Sequence, residues 1–363
     1  MGDLYVVENL VLRRLRSPLT VPYKLAFGPV EAFDTVLVEV RLVDGRTGWG
    51  EATLLAGYTE ETIEQAWRRA TMVAEKLSSV GVAEAKTVAM RHLLESPFTT
   101  TAFVTALEMA EGHDLLANEK DRRAQLLAIV NATEHDAISQ EIEGRLSEGY
   151  VTLKVKVGFD LFADRQRLAL IQELVAGRAV LRVDANQGYS QADGVAFVSG
   201  IDPTGIELVE QTCAAGDWPA AKAVAGAARA NGVTVMLDES IYGLSDVDRA
   251  ADLACADIIK LKLMKMGGLN ALVAGLRHVR ARGMRSVLGN GVAGDIGCWM
   301  EACVATTHLD NAGEMNGFLK PVTQLFDLPM HIDGGDLILT GEGEVAPNWP
   351  AIEDYTLEKR ECY

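Results

Sequence analysis

Five short β-branched runs in this chain each end on a charged residue, and the charges recur at a nearly constant interval. They are Lys156, Asp184, Glu210, Asp238 and Lys262, spaced 24 to 28 residues apart. Further steps of similar length reach Glu314. A buried strand has little reason to finish on a charge, because an unpaired ion in an apolar interior is strongly disfavoured. Strand candidates lie at 125–131, 151–156, 179–184, 206–210, 233–238, 257–262, 285–289 and about 310–314, with helical patterns such as 161–175 and 217–230 between them. Repeated strand-then-helix order implies parallel strands joined by crossover helices. Eight such strands suggest a closed (β/α)8 barrel, although about 190 residues is short of the usual figure of roughly 250. A doubly wound open sheet is the rival. It would string the charges along an edge, whereas a barrel converges them on one mouth, where such folds place their active sites.

The first third has another character. Residues 4–12 and 35–43 are β-rich, and helical stretches follow at about 60–77, 82–94 and 101–117, which suggests an α+β unit. Between them, 17–30 (SPLTVPYKLAFGPV) reads as a long surface loop and 48–62 (GWGEATLLAGYTEET) as a second loop. The 363 residues leave room for two domains, and 48% hydrophobic with 23% charged content is that of a globular protein. A net charge of −17 disfavours nucleic acid and anionic membranes. A small anionic substrate stays open, since a metal inverts the local field. Five cysteines (Cys213, Cys255, Cys298, Cys303, Cys362) with no CxxC read as reduced thiols. MGDLYVVENL shows no signal-peptide pattern, Val6 breaks the myristoylation pattern, and no apolar run approaches roughly 20 residues. The expected location is the cytoplasm.

Asp184, Glu210 and Asp238 are three carboxylates on successive strand ends. Such hard oxygen ligands on a rigid scaffold suit Mg²⁺. Each alone reads more readily as a helix N-cap acid, but three at a common spacing favour the metal. Asn186 and Glu239 stand just behind two of them and would support the ligands, or else serve the turns DANQGY and DESIYG. Lys154 and Lys156 lie two apart on one strand, so both face the barrel interior. Lys260 and Lys262 repeat the arrangement four strands later, on the opposite side of an eight-strand ring. Two opposed lysine groups with carboxylates between them suit proton transfer on either face of a carbanion. Burial, neighbouring ammonium groups and a metal are expected to depress a lysine pKa enough for base catalysis. Lys265, beyond the strand, reads as a surface lysine.

The ordered segments KVK, VDAN, VEQ, LDES and IKLKLMKMGGL resemble the strand signatures of the enolase superfamily. They are closest to the muconate-lactonizing-enzyme (muconate cycloisomerase) subgroup of the mandelate racemase/muconate lactonizing enzyme family. The resemblance spans essentially the whole chain, including GWGEA in the first third. It implies a (β/α)7β TIM-like barrel with an N-terminal α+β capping domain completed by the C-terminal tail. The corresponding units are 1–123 (cap), 124–325 (barrel) and 326–363 (a segment returning to the cap). It implies Mg²⁺ (with Mn²⁺ as a substitute) on Asp184, Glu210 and Asp238, and Lys156 and Lys262 as opposed acid/base groups. Lys154 would lower the Lys156 pKa and touch the substrate carboxylate, and Glu239 would contact Lys262. Lys260 is an extra lysine with no assigned role. Glu314, in GEMNGFLKP, falls loosely where the subgroup carries an acid, and an ordinary loop acid is an equal alternative. Cap loops at about 17–30 and 50–60 would cover the mouth, with Tyr23, Phe27, Leu54, Leu55 and Tyr58 lining a pocket or simply packing cap on barrel.

The expected reaction is removal of the α-proton of a small carboxylate through a metal-stabilised enediolate. Amino-acid-derivative racemase or epimerase and muconate-like cycloisomerase are both open. Dehydratase and o-succinylbenzoate synthase share the machinery and rank lower. The six histidines (His92, His113, His135, His278, His308, His331) fall at no strand end, and SVLGNGVAGD on the seventh strand contains none, which argues against the mandelate-racemase branch. EMNGFLKP lacks the DxD of dipeptide epimerases, so a dipeptide substrate is disfavoured. A non-catalytic barrel scaffold would not need so many buried charges, and a metal-dependent hydrolase would favour histidine ligands. The resemblance also implies a homo-oligomer.

Overall fold

The computed structural model describes residues 5–25, 28–55, 59 and 61–363. The chain opens with β1 (Val7–Leu25), β2 (Gly28–Leu42) and β3 (Thr47–Leu54), then α1 (Ile63–Ala74), α2 (Val82–Met90) and α3 (Pro97–Glu111). After β4 (Arg122–Gln125) strands and helices alternate: β5 (Ala128–Val130), α4 (His135–Ser147), β6 (Thr152–Lys156), α5 (Leu161–Val175), β7 (Val180–Asp184), α6 (Gln191–Gly200). The alternation continues through β8 (Ile206–Glu210), α7 (Trp218–Ala230), β9 (Val235–Leu237), α8 (Leu244–Leu253), β10 (Ile258–Leu261), α9 (Leu263–Met266), α10 (Leu269–Ala281), β11 (Arg285–Leu288) and α11 (Asp295–His308). The tail adds β12 (Phe326–Asp327), β13 (Met330–Asp333), β14 (Asp336–Leu339), β15 (Ala346–Pro347), α12 (Trp349–Tyr355) and β16 (Thr356–Cys362).

The cap is an antiparallel sheet in the order β16-β1-β2-β3, so the last strand of the chain returns to the first. Alternate residues Val36, Val38 and Val40 are buried with Phe98, Phe103 and Leu107 of α3, as one face of a sheet covered by helices requires. Thr62 and Gln65 form a reciprocal capping box that starts α1. The expected loop at 48–62 is β3 over most of its first half. Its glycines are there for contact with α3: a Cβ on Gly48 or Gly50 would lie 2.0 Å from Ala106 O or Ala102 O. The expected loop at 17–30 is likewise a hairpin arm, in which β1 and β2 stay paired from Pro18–Ala32 across a bulge to Tyr23–Val30. β16 pairs with β1 only as far as Leu15; beyond it the edge meets residues 320–322, where Pro18 is used only through its carbonyl, which accepts from Val322 N–H (2.9 Å).

The seven parallel strands β5 to β11 pair in sequence order, the single winding of a barrel and not the reversed order of a doubly wound sheet. The eighth place differs from the expected strand at 310–314. Gly313 forms only an isolated parallel bridge with Leu126. Even so, its carbonyl accepts from Leu127 N–H (3.1 Å), and Glu314 N–H donates to Leu288 O (3.0 Å). The segment therefore touches both the first and the seventh strand. Gly289, at φ +123°, makes this possible, because a Cβ there would sit 2.4 Å from Glu314 N. Leu208, Met236, Ile258 and Val287 form an apolar cluster of alternate strand residues inside the ring. Two residues further along β8 and β10, on the same face, come Glu210 and Lys260.

Candidate active site

Strand register places the charged ends side by side. Lys156 pairs with Asp184, and Asp184 with Glu210, across β6, β7 and β8. Asp238 and Lys262 immediately follow β9 and β10. The side chains then alternate in sign around the mouth. Lys156 lies 2.7 Å from Asp184, which lies 2.8 Å from Lys154. Lys154 lies 3.0 Å from Glu210, and Glu210 3.0 Å from Lys260. Lys260 lies 3.4 Å from Asp238, and Asp238 2.7 Å from Lys262. Glu314 binds Lys154 at 3.1 Å and also bonds Lys260, so it belongs to the buried cluster and is no ordinary loop acid. Lys154, Lys260 and Lys262 are all buried, whereas the Lys156 side chain keeps 27% of its surface exposed.

Electrostatics follow from this alternation. Burial works against ionisation of Asp184 and Asp238, but the surrounding ammonium groups outweigh it and hold both well below the carboxylate range. Glu314 is held down in the same way by Lys154 and Lys260. Glu210, with carboxylates on both sides, is pushed up by burial and by Asp184. Lys154 shows the other side of this balance. Burial alone would depress it, yet Asp184, Glu210 and Glu314 together raise it above the ordinary lysine range, so it is a fixed cation.

Asn186 and Glu239 sit against this arc. Asn186 N–H donates to Asp184 (2.8 Å), its side-chain nitrogen donates to Glu239 (3.1 Å), and its oxygen accepts from Lys156. Burial and Asp238 raise Glu239 to about 7. Leu55 is buried with Leu19, Phe33 and Val292, which joins the cap to the loop after β11. Leu54 is buried in the cap core. Phe27 and Tyr58 lie outside the described residues, and only the backbone of Tyr23 is described, paired with Val30. None of the six histidines stands at the C-terminal end of a barrel strand.

Three residues escaped the sequence reading. Lys265 is buried, not exposed; it donates to Ile241 O (3.0 Å) and stands 4.0 Å from the Tyr242 ring centroid. Burial and then Lys262 push it down to about 8. Glu51 and Glu301 line one cavity between cap and barrel, with Thr53, Thr101, Met264 and Asn290. The GWGEA segment carried the only signal for Glu51, and it gave no hint of a partner.

Among the described residues, no three Asp, Glu, His or Cys side chains converge tightly enough to enclose a metal ion. Ammonium groups occupy the spaces between Asp184, Glu210 and Asp238. The donor set itself, three buried carboxylates on neighbouring strand ends, is of the type a hard dication takes, so the residues fit Mg²⁺.

Comparison with known proteins agrees with this geometry. Residues 137–343 match the family model described as enolase C-terminal domain-like. Residues 8–127 match that of the mandelate racemase / muconate lactonizing enzyme N-terminal domain. An L-Lys-D/L-Arg epimerase of Methylococcus capsulatus is 33% identical over 72% of this chain and 76% of its own. An L-Ala-D/L-Glu epimerase of Bacillus subtilis is 30% identical over 78% of this chain and 80% of its own. The crystal structure of a dipeptide epimerase from Cytophaga hutchinsonii, complexed with Mg and the dipeptide D-Ala-L-Val, superimposes with a TM-score of 0.86 at 20% identity, covering 99% of this chain and all of that one.

Proposed function

The chain belongs to the mandelate racemase / muconate lactonizing enzyme family of the enolase superfamily and is an isomerase, and from that premise we propose a Mg²⁺-dependent racemase or epimerase of a small amino-acid-derived carboxylate. The carrying observation is that Lys156 and Lys262 stand at the two ends of the arc, each 2.7 Å from a carboxylate at the mouth. Asp184, Glu210 and Asp238 would hold the ion, which when bound supplies Lewis-acid stabilisation of the charge building on the substrate carboxylate. Lys156 takes the α-proton from one face, and Lys262 returns one to the other. Lys154, kept cationic by Asp184, Glu210 and Glu314, binds the substrate carboxylate. Asn186 orients Lys156 and Asp184 together, and Leu55 and Glu314 are assigned to the substrate side together with Tyr23, Phe27 and Tyr58, whose side chains lie outside the described residues.

The epimerase names among the relatives, and the dipeptide epimerase fold match, return dipeptides to consideration despite the missing DxD in EMNGFLKP. Cycloisomerisation of a muconate-like acid uses the same lysine pair and is the second reading. Residues 1–123, 124–325 and 326–363 are taken as cap, barrel and returning segment. A cytoplasmic homo-oligomer that binds neither nucleic acid nor membrane completes the proposal. A net charge of −17 disfavours nucleic acid and anionic membranes as partners. Among the described residues no helix is long and apolar enough to cross a membrane. The test is incubation with Mg²⁺ in D₂O against N-acylated amino acids, dipeptides and muconolactone analogues. Deuterium at the α-carbon with loss of optical activity is the expected result. Product formed only from the lactones would replace the epimerase with a cycloisomerase, and no exchange in any class would overturn the proposal.

A further inference from the structure

Lys260 takes no part in the proton transfer proposed above, yet it lies deep among acids, 4% exposed. It donates to Glu210 Oε1 (3.0 Å) and to Glu314, and its ammonium is 3.4 Å from Asp238. Lys154 holds the other oxygen of Glu210, Oε2, at 3.0 Å and also binds Glu314. Lys154, Glu210, Lys260 and Glu314 thus close a square of alternating charge, drawn from β6, β8, β10 and the eighth position. Both oxygens of the central carboxylate are already taken by ammonium groups. A cation that ligates Glu210 would meet two ammonium groups on the same carboxylate, and like charges at such range in a low-dielectric interior repel strongly, which favours displacing one of them.

Lys260 is the lysine placed to yield. Each of Lys154 and Lys260 touches two of the proposed metal ligands and Glu314, but Lys154 holds its two at 2.8 and 3.0 Å, whereas Lys260 holds Asp238 only at 3.4 Å and can turn to Glu314, which is not a proposed ligand. We propose that Lys260 is a resident counter-cation that competes with the divalent ion for Glu210 and Asp238, and that Glu314 is the acceptor that receives it when the ion binds. This rests on the metal assignment made under Proposed function. Lys260 is then a positioning residue: it keeps the carboxylates gathered without metal and weakens the site for the metal.

Mn²⁺ binding to the full-length protein, followed by the electron paramagnetic resonance of the free ion, tests this without any turnover. Lys260→Met should tighten the Mn²⁺ dissociation constant on the order of tenfold. Glu314→Gln should weaken it, because Lys260 then loses the acceptor that draws it away from Glu210 and Asp238. In the Lys260→Met background, Glu314→Gln should change little. A purely structural role for Lys260 would instead weaken Mn²⁺ binding in the single variant. Unchanged or weaker binding by Lys260→Met, with wild-type binding intact, overturns the inference and leaves the metal assignment standing. Failure of the wild type and all variants to bind Mn²⁺ overturns both. Lys260→Gln replaces the methionine variant if that one does not fold.

Discussion

Asp184, Asp238 and Glu314 at the barrel mouth and the buried glutamates at the seam between cap and barrel behave in opposite ways. At the mouth, Asp184, Asp238 and Glu314 face ammonium groups and are held ionised. At the seam, buried glutamates accept from backbone N–H groups at helix starts. Glu51 on β3 accepts from Gly294 (2.6 Å) ahead of α11, and Glu108 on α3 from Leu269 (2.7 Å) in α10. Glu301 accepts from Leu263 (2.6 Å) at α9. Burial, reinforced by Asp295, pushes Glu51 up to about 8, and burial raises Glu301 to about 7. A helix N-terminus is electropositive, but it offers only partial charge, while an ammonium offers a whole one. A buried carboxylate is thus held as an ion where ammonium groups dominate around it and acts as a clamp where it meets backbone N–H groups; Glu210, between Asp184 and Asp238, is pushed up despite its two lysines.

Replacing a charge at the mouth should do the most damage to chemistry. Lys156→Ala and Lys262→Ala are each expected to lower racemisation or epimerisation by at least about 10³-fold with unchanged circular dichroism. Full activity in either would remove the two-base assignment. Chelation with EDTA should bring activity to background and added Mg²⁺ should restore it; activity indifferent to EDTA would detach the mouth carboxylates from any metal.

The seam should answer to pH instead. Glu51 and Glu301 have folded pKa values near 8 and 7, above the ordinary 4.5, so the folded state binds their protons more tightly. Their stabilising contribution is full below about pH 4.5 and is lost as pH rises through 7 to 8. Unfolding free energy measured in urea should thus fall by a few kcal/mol, in order of magnitude, between pH 6 and pH 9. Glu51→Gln should flatten that slope. Equal slopes in wild type and variant would erase the distinction between seam and mouth. The smallest effect belongs to Glu108→Gln, whose amide oxygen can still accept from the start of α10. About 1 kcal/mol of stability should be lost in the same assay, with the catalytic rate unchanged.

The mouth was readable in the sequence because its signal is local. Strand alternation and a charge every 24 to 28 residues place Lys154, Lys156, Asp184, Glu210, Asp238 and Lys262 without knowledge of a single contact. The family match bears out the superfamily and the barrel. The seam was not readable, because Glu51 and Gly294 lie 243 residues apart and nothing near either announces the other. The hairpin arm was missed because Pro18 and Pro22 signal turns, and only the distant residues 320–322, which take up the Pro18 carbonyl beyond the end of β16, explain how the strand keeps Pro18. Gly48 and Gly50 signalled a loop for a similar reason, their purpose being the approach of α3. The place of Lys265 after a strand points to exposure, whereas the short α9 folds it inward beneath Tyr242.

The most direct measurement is stereospecific exchange. Each isomer of an accepted substrate is incubated in D₂O with Lys156→Ala and with Lys262→Ala, and α-deuterium is followed by mass spectrometry. If the two lysines serve opposite faces, neither variant interconverts the isomers, yet each still exchanges the proton of one isomer, and the two variants choose different ones. Exchange of the same isomer by both variants, or continued interconversion by either, would contradict a proton passed between Lys156 and Lys262.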